Sequence, residues 1–265
     1  MLDSDSDIRL PILLYHHVGP SRSGTFLDLT VSPEKFRRQV GWMARSGYVG
    51  IRPSDWLGWC RAEKCLPAKP VLLTFDDAYA DIAECALPVL REYGFGAAVY
   101  VVTSELGGTN SWDEARGSST HRLLDVDQIV YWAALGFEFG AHSRTHPDLT
   151  TLARNEAEKE IAGSKNELER ALGTRVLSFV YPYGSHNETV RKLARANFQL
   201  ALTVKEGLNG RDTDLYALCR SPVRPEDSLF DLWLRLKFGL NPVEHLRRSL
   251  AISKRRVLAA LAWQL

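Results

Sequence analysis

The chain has 265 residues, a formal net charge of +1 and 25% charged side chains, enough for one large α/β core or two smaller domains. A balance this close to neutral, with no concentrated basic stripe, excludes nucleic acid as an expected partner. No run approaches the roughly 18 apolar residues that span a bilayer. The four scattered cysteines, Cys60, Cys65, Cys85 and Cys219, form no C-x-x-C pair and read as free structural thiols.

In chain order, residues 1–10 (MLDSDSDIRL) lack both the basic and the apolar region of a secretory signal, so a cytoplasmic protein is expected. Residues 9–15 (RLPILLY) read as a first strand, followed at once by His16, His17 and Val18. Ser32, Pro33 and Glu34 supply an N-cap, a first-turn proline and a first-turn acid for a helix that buries Phe36, Val40 and Met43 and stops at Gly47. Residues 71–75 (VLLTF) form a second strand that runs into Asp76 and Asp77. Strict strand alternation would send those two carboxylates to opposite faces.

A strand at 97–102 (AAVYVV) leads to a loop at 107–120, rich in glycine and serine, that carries Trp112 and Asp113. Trp112 could stack on a sugar face or simply anchor the loop. A helix at 125–135 precedes the strand at 137–141 (FEFGA), which ends in His142 and His146. A charged helix at 155–172, closed by Gly173, belongs on the outside. A strand at 177–181 (LSFVY) enters Pro182, Tyr183 and Gly184, and a helix at 188–196 and a strand at 200–204 follow. Short apolar strands alternating with helices predict a parallel sheet in an α/β fold, with residues 1–223 as one domain.

Residues 224–265 read as a basic amphipathic helical extension. From Arg235 onward there are seven Lys or Arg against one acid, Glu244, and apolar residues recur through the extension, including Trp233 and Trp263. Such a segment either packs on the domain as a pair of helices or lies on an anionic membrane surface. The second alternative would put the protein at the inner face of the membrane.

The chemistry-bearing residues all follow strand ends, and in parallel α/β folds ligands collect at that carboxyl edge. One carboxylate with His142 and His146 makes a three-ligand, zinc-type set that leaves a position open for water. The neighbouring carboxylate is then free to take that water's proton. On these residues alone, either aspartate can fill either role.

Three ordered motifs, TFDD (74–77), H-S-x-x-H-P (142–147) and Y-P-Y-G (181–184), together resemble the polysaccharide deacetylases, the NodB-homology or carbohydrate esterase family 4 group, over residues 10–223. The resemblance implies a distorted (β/α)7 barrel and metal-dependent removal of acetyl groups from a glycan that contains N-acetylhexosamine. It implies Asp76 as general base, Asp77, His142 and His146 as ligands of a divalent metal, and Pro182 with the Tyr183 backbone N–H at the substrate oxyanion. Zinc is the expected metal, with cobalt or nickel as alternatives.

Two departures stand out. Val180 occupies the position where most of the family carry an arginine that partners the base, and there is no late Leu-x-His to supply the acid. Tyr15-His16-His17-Val18 is similar to the N-terminal motif of the circularly permuted poly-N-acetylglucosamine deacetylase branch, which implies His16 as the acid. Residues 31–36 (VSPEKF) and 47–53 (GYVGIRP) resemble that branch too. His17 then packs locally or plays a supporting part. His186 reads as a loop residue, and Arg220 is the candidate for orienting Asp76. The alternatives to N-deacetylation are O-deacetylation of a glycan, or a non-catalytic glycan- or membrane-binding protein on the same barrel.

Overall fold

A computed structural model describes residues 8–20, 29–116, 120–244 and 246. In chain order the elements are β1 (Ile12–Tyr15), β2 (His17–Val18), β3 (Thr30–Val31), α1 (Pro33–Arg45), β4 (Val49–Gly50), α2 (Pro53–Cys60), β5 (Pro70–Phe75), α3 (Asp81–Cys85), α4 (Leu87–Glu92), β6 (Ala97–Val101), α5 (Val126–Ala134), β7 (Glu138–Ala141), α6 (Arg154–Leu172), β8 (Ser178–Val180), α7 (Glu188–Asn197), β9 (Leu200–Leu202), β10 (Ser221–Pro222) and α8 (Leu229–Phe238). Seven strands form one parallel sheet in the order β10-β1-β5-β6-β7-β8-β9, and β4 adds to the start of β5. The sheet curls until Leu202, at the end of β9, bridges Leu218, just before β10. The result is a distorted seven-stranded barrel.

The helix signals in the sequence are realised locally. Ser32 accepts from the Lys35 N–H, Pro33 opens α1, and Asp125 caps α5 through the Gln128 N–H. Gly173 closes α6 in the left-handed conformation, at φ 67°. The strands come out shorter than their apolar runs. The run at 9–15 begins with Leu10 in an antiparallel bridge to Asn209, and Pro11, which has no N–H, delays the strand to Ile12. The runs at 177–181 and 200–204 lose their last residues to the turns that build the site. Helices α2, α3 and α4 are short, with Pro53 and Pro88 in the first turns of α2 and α4, and they carry no long apolar period to announce them.

Strand alternation sorts the core into two layers. Leu13 and Tyr15 of β1, Val71, Leu73 and Phe75 of β5, and Val99 and Val101 of β6 face the outer helices in one cluster. Ile12, Leu72, Ala98, Tyr100, Val180, Leu200 and Leu202 form the second cluster, inside the barrel. Trp56 and Trp59 of α2, stacked with centroids 4.8 Å apart, belong to the same interior cluster at the amino-terminal edge. Gly140 is required here, because a Cβ would collide with the Tyr100 ring and the Ser178 hydroxyl.

Helix α8 is welded to this body. Leu232 and Leu236 join the outer core, and Arg235, fully buried, donates to Asp227 at 2.8 and 3.2 Å and reaches Glu244 and Glu206. Phe230, Trp233 and Phe238 face outward. The rest of the basic extension, residues 247–265, lies outside the described residues, as do residues 1–7 and 117–119 of the stretches discussed above. Among the described residues, no helix is long and apolar enough to cross a membrane.

Because α8 shares the main core, Leu232→Ala should lower the unfolding free energy by about 2–5 kcal/mol. The exposed Phe230→Ala should change it by no more than about 0.5 kcal/mol. Denaturant unfolding followed by circular dichroism would check both, and a separate early transition for α8 would contradict the shared core.

Candidate active site

Among the described residues, five of the six non-glycine residues with positive φ lie at the carboxyl edge of the barrel: Asp77 (68°), Ala78 (57°), Ser143 (62°), His146 (60°) and Tyr183 (58°). Each such conformation costs of order 1–3 kcal/mol, and strain of this kind collects where geometry serves a site. At the end of β5 it removes the conflict between the two carboxylates. Asp76 continues the interior register of Leu72 and Thr74. Asp77 would follow Phe75 outward, but its left-handed backbone turns it back, and both aspartates line one cleft.

The cleft holds about 220 Å³ and is lined chiefly by His16, Asp76, Asp77, His142, His146 and Tyr183, with Trp112 and Asp113 from the loop after β6. Asp77 Oδ1 lies 3.5 Å from His142 Nε2 and 3.4 Å from His146 Nε2, and the two nitrogens are 3.2 Å apart. Three corners of a tetrahedron with bonds of about 2.0–2.1 Å are separated by about 3.3–3.4 Å, so the donors have the spacing of a zinc-type site. Asp77 Oδ1 is buried and has no hydrogen-bond partner. These three residues are the one His/Cys/Asp/Glu group of metal-holding geometry found among the described residues.

Neighbouring groups aim the ligands. His142 Nδ1 lies 2.8 Å from the Val180 carbonyl, which fixes that nitrogen as the donor and presents Nε2 to Asp77. The His146 ring stacks on Trp112 at 5.0 Å and meets the edge of Tyr183 at 4.6 Å. The loop that carries both histidines is pinned from α6, where Glu160 accepts from the N–H groups of Arg144 and Thr145. Tyr183 sits in the turn Pro182–Gly184, against Val204. A side chain at Gly184 would strike Val204.

Asp76 makes a buried ion pair with Arg220. Arg220, fully buried, donates from Nη1 to Oδ1 at 2.6 Å and from Nη2 to Oδ2 at 2.8 Å, while its Nε donates to the Thr203 carbonyl. The cation that the position of Val180 lacks therefore enters from the last barrel segment, and Val180 itself packs in the apolar interior. His186 stacks on Tyr181 and bonds to the Gly184 carbonyl, outside the residues lining the cleft. His17 is buried behind the site, paired with Asp81 at 2.7 Å.

The electrostatics separate the two carboxylates. Burial alone would raise Asp76, but the charge of Arg220, that of His142 and the paired hydrogen bonds outweigh it, and Asp76 is held below the ordinary carboxylate range. Asp77 is pushed well above that range by burial and then by the charges of Asp76 and Asp113. A cation beside Oδ1 would remove that penalty. His16 is pushed down to about 4, by burial first, against the opposing pull of Asp76. His142 is lowered as well, chiefly by burial, which keeps its ring neutral and ready to ligate.

Three neighbours of the site carry no sequence signal of their own: the Val180 carbonyl, Glu160 and the Tyr79 side chain. The first two act through backbone groups that no motif marks. Tyr79 stood in plain view beside TFDD, but its partners come from distant segments.

Arg220→Gln should destabilise the protein by about 3–5 kcal/mol, because it strands a buried carboxylate. Adding Asp76→Asn should recover much of that loss. A double-mutant cycle in denaturant, with chelator present, would measure the coupling, and simple additivity would mean that the pair does not hold the interior together.

Residues 63–200, just over half of the chain, match the family model described as polysaccharide deacetylase. YxkH of Bacillus subtilis is 28% identical over 225 residues, covering 84% of this chain and 75% of that protein. The poly-beta-1,6-N-acetyl-D-glucosamine N-deacetylase of Staphylococcus epidermidis is 24% identical over 212 residues, covering 76% and 70% respectively. Among solved structures, the Streptococcus pyogenes deacetylase PplD in complex with acetate superposes with a TM-score of 0.74 at 27% identity, over 86% of this chain and 98% of that one. IcaB from Ammonifex degensii shares the fold, with a TM-score of 0.71 at 23% identity over 82% and 93%. With its catalytic-type carboxylates and histidines gathered at the same edge of the barrel, the chain belongs to the polysaccharide deacetylase family of carbohydrate-acting hydrolases.

Proposed function

We propose that the protein is a metal-dependent N-deacetylase of a glycan containing N-acetylhexosamine. The observation that carries this reading is the triangle of Asp77 Oδ1, His142 Nε2 and His146 Nε2, whose oxygen corner is buried without a hydrogen bond, set beside a second carboxylate already neutralised by Arg220. The name of the Staphylococcus epidermidis relative supports the substrate class. Asp77, His142 and His146 would hold a divalent ion, zinc foremost. When bound, such an ion acidifies a water from a pKa of about 15.7 toward about 7 and polarises the acetyl carbonyl.

The residues of the chain divide the remaining work. Asp76 spends one lone pair of each oxygen on Arg220 and keeps the others for the proton of the attacking water. Held below the ordinary range, it is a weak base, suited to a water that is already acidified. The Tyr183 backbone N–H, presented by the turn after Pro182, would donate to the developing oxyanion. His16 starts neutral, so the proton it gives to the departing nitrogen must be acquired within the site during the reaction. That resting state also favours O-deacetylation as a second reading, since an alkoxide depends less on an acid than an amine does.

Exposed Phe230, Trp233 and Phe238 on α8, together with five Lys or Arg and no acid in residues 247–265, support a peripheral contact with an anionic bilayer as part of the same proposal. Co-sedimentation with phosphatidylglycerol vesicles, and not with phosphatidylcholine vesicles, is the expected outcome.

His142→Ala should lose the metal. Asp76→Asn should keep it while acetate release falls by about 10²–10⁴-fold. Metal analysis and acetate release from N- and O-acetylated sugars, before chelation and after return of zinc, cobalt or nickel, would check these roles. Equal metal loss in both variants would undo them, and turnover confined to O-acetyl sugars would select the second reading.

A further inference from the structure

His16 occupies a one-residue gap between β1 and β2, and its ring lines the cleft. Among the described residues, no hydrogen bond holds that ring. Its placement therefore depends on the main chain to either side. Upstream, β1 runs in register with β5, and the Tyr15 carbonyl accepts from the Asp76 N–H at 3.0 Å. Downstream, β2 pairs with β3 alone, with His17 opposite Thr30 and Val18 opposite Val31. A ladder of two residues is too short to fix a side chain by itself.

The side chain of His17 supplies the missing anchor. It is 2% exposed, and its Nδ1 lies 2.7 Å from Asp81 Oδ2 at the start of α3. A carboxylate accepts, so Nδ1 carries the proton and donates. The plane of the ring is set as well. The Tyr79 ring stacks on it, with centroids 3.6 Å apart and planes at 26°, and the His121 ring lies 4.7 Å away. That surround is tied down through the antiparallel bridge of Tyr79 with Leu123 and the bond from the Ala80 N–H to the Arg122 carbonyl. Successive side chains of an extended chain leave it on opposite sides, so a contact that locks His17 behind the cleft fixes the backbone that presents His16 to it.

We infer that His17, held by Asp81, is a positioning residue for His16, the general acid of the reaction proposed above, on which the inference rests. His17 and Asp81 are 64 residues apart in sequence. Their contact ties the acid to α3, the helix that follows Asp76 and Asp77, so that acid and base stand on one support. Misplacing a catalytic group by about 1 Å costs about 10²-fold in rate. The loss falls unevenly on substrates, because an amine leaves poorly unless it is protonated, whereas an aryl oxide leaves without help.

Turnover of a trimer of N-acetylglucosamine and of an aryl acetate by the zinc-loaded full chain tests the inference. Asp81→Ala should lower kcat for the amide about 10²-fold at unchanged KM, and turnover of the aryl ester by a far smaller factor. Asp81→Asn, which keeps an oxygen to accept from Nδ1, should recover most of the loss. Equal losses on the two substrates, or none, would overturn the inference, as would a fall in cobalt affinity large enough to account for the lost turnover. His16→Ala is the reference. If it spares the amide, the acid has been misassigned and the inference falls with that assignment. If it depresses the amide selectively while Asp81→Ala does not, the inference alone fails. A wild type that releases no acetate from the amide rejects the proposed function, and the inference with it.

Discussion

The upper part of the barrel is organised around one buried ion pair. Arg220 and Asp76 are 144 residues apart in sequence, and each satisfies the other with two hydrogen bonds in a place that water does not reach. Neither charge could be buried alone, because an unpaired ion in such a setting costs several kcal/mol. The pair therefore demands that the segment before β10 come to rest against β5. With Arg220 Nε on the Thr203 carbonyl, it also ties in the end of β9, where the barrel closes by a single bridge. The same contact makes the site asymmetric. One carboxylate is neutralised by the protein, and the other is left for something else to neutralise.

That asymmetry is paid for in backbone strain. Asp77 and Ala78 adopt conformations that L-residues avoid, and so do Ser143, His146 and Tyr183 on the facing loops. Each of these residues stands two to five positions beyond a strand whose alternation would have sent some of its side chains into the outer core. Left-handed steps at the strand ends break that alternation and let three loops converge on one cleft. The loops hold these conformations because the layer beneath them is rigid: alternating apolar residues fill both faces of the sheet, and Tyr100 with Gly140 leaves no slack inside.

Helix α8 belongs to the barrel in every physical sense, since its leucines enter the main core and Arg235 anchors a buried cluster of acids. In the sequence, residues 224–265 read as one basic extension; helix α8 lies in its described part, and residues 247–265 lie outside the described residues. The positive charge of Arg235 looks like surface charge in the sequence, but it is consumed internally by Asp227, Glu206 and Glu244.

Much was legible in the residues themselves. Apolar runs of four to six residues alternating with capped helices specify a parallel α/β fold, because strand burial and helix capping are local in origin. The positions of Asp76, Asp77, His142, His146, Tyr183 and His16 at strand ends announce a carboxyl-edge site for the same reason. What the sequence did not determine is how distant segments meet. The start of β1, the different electrostatic settings of two adjacent carboxylates and the source of the cation beside Asp76 all depend on contacts between segments far apart in the chain. Pattern and propensity act over a few residues, whereas burial, charge compensation and left-handed strain are settled only when the barrel closes and decides which groups share one dry space.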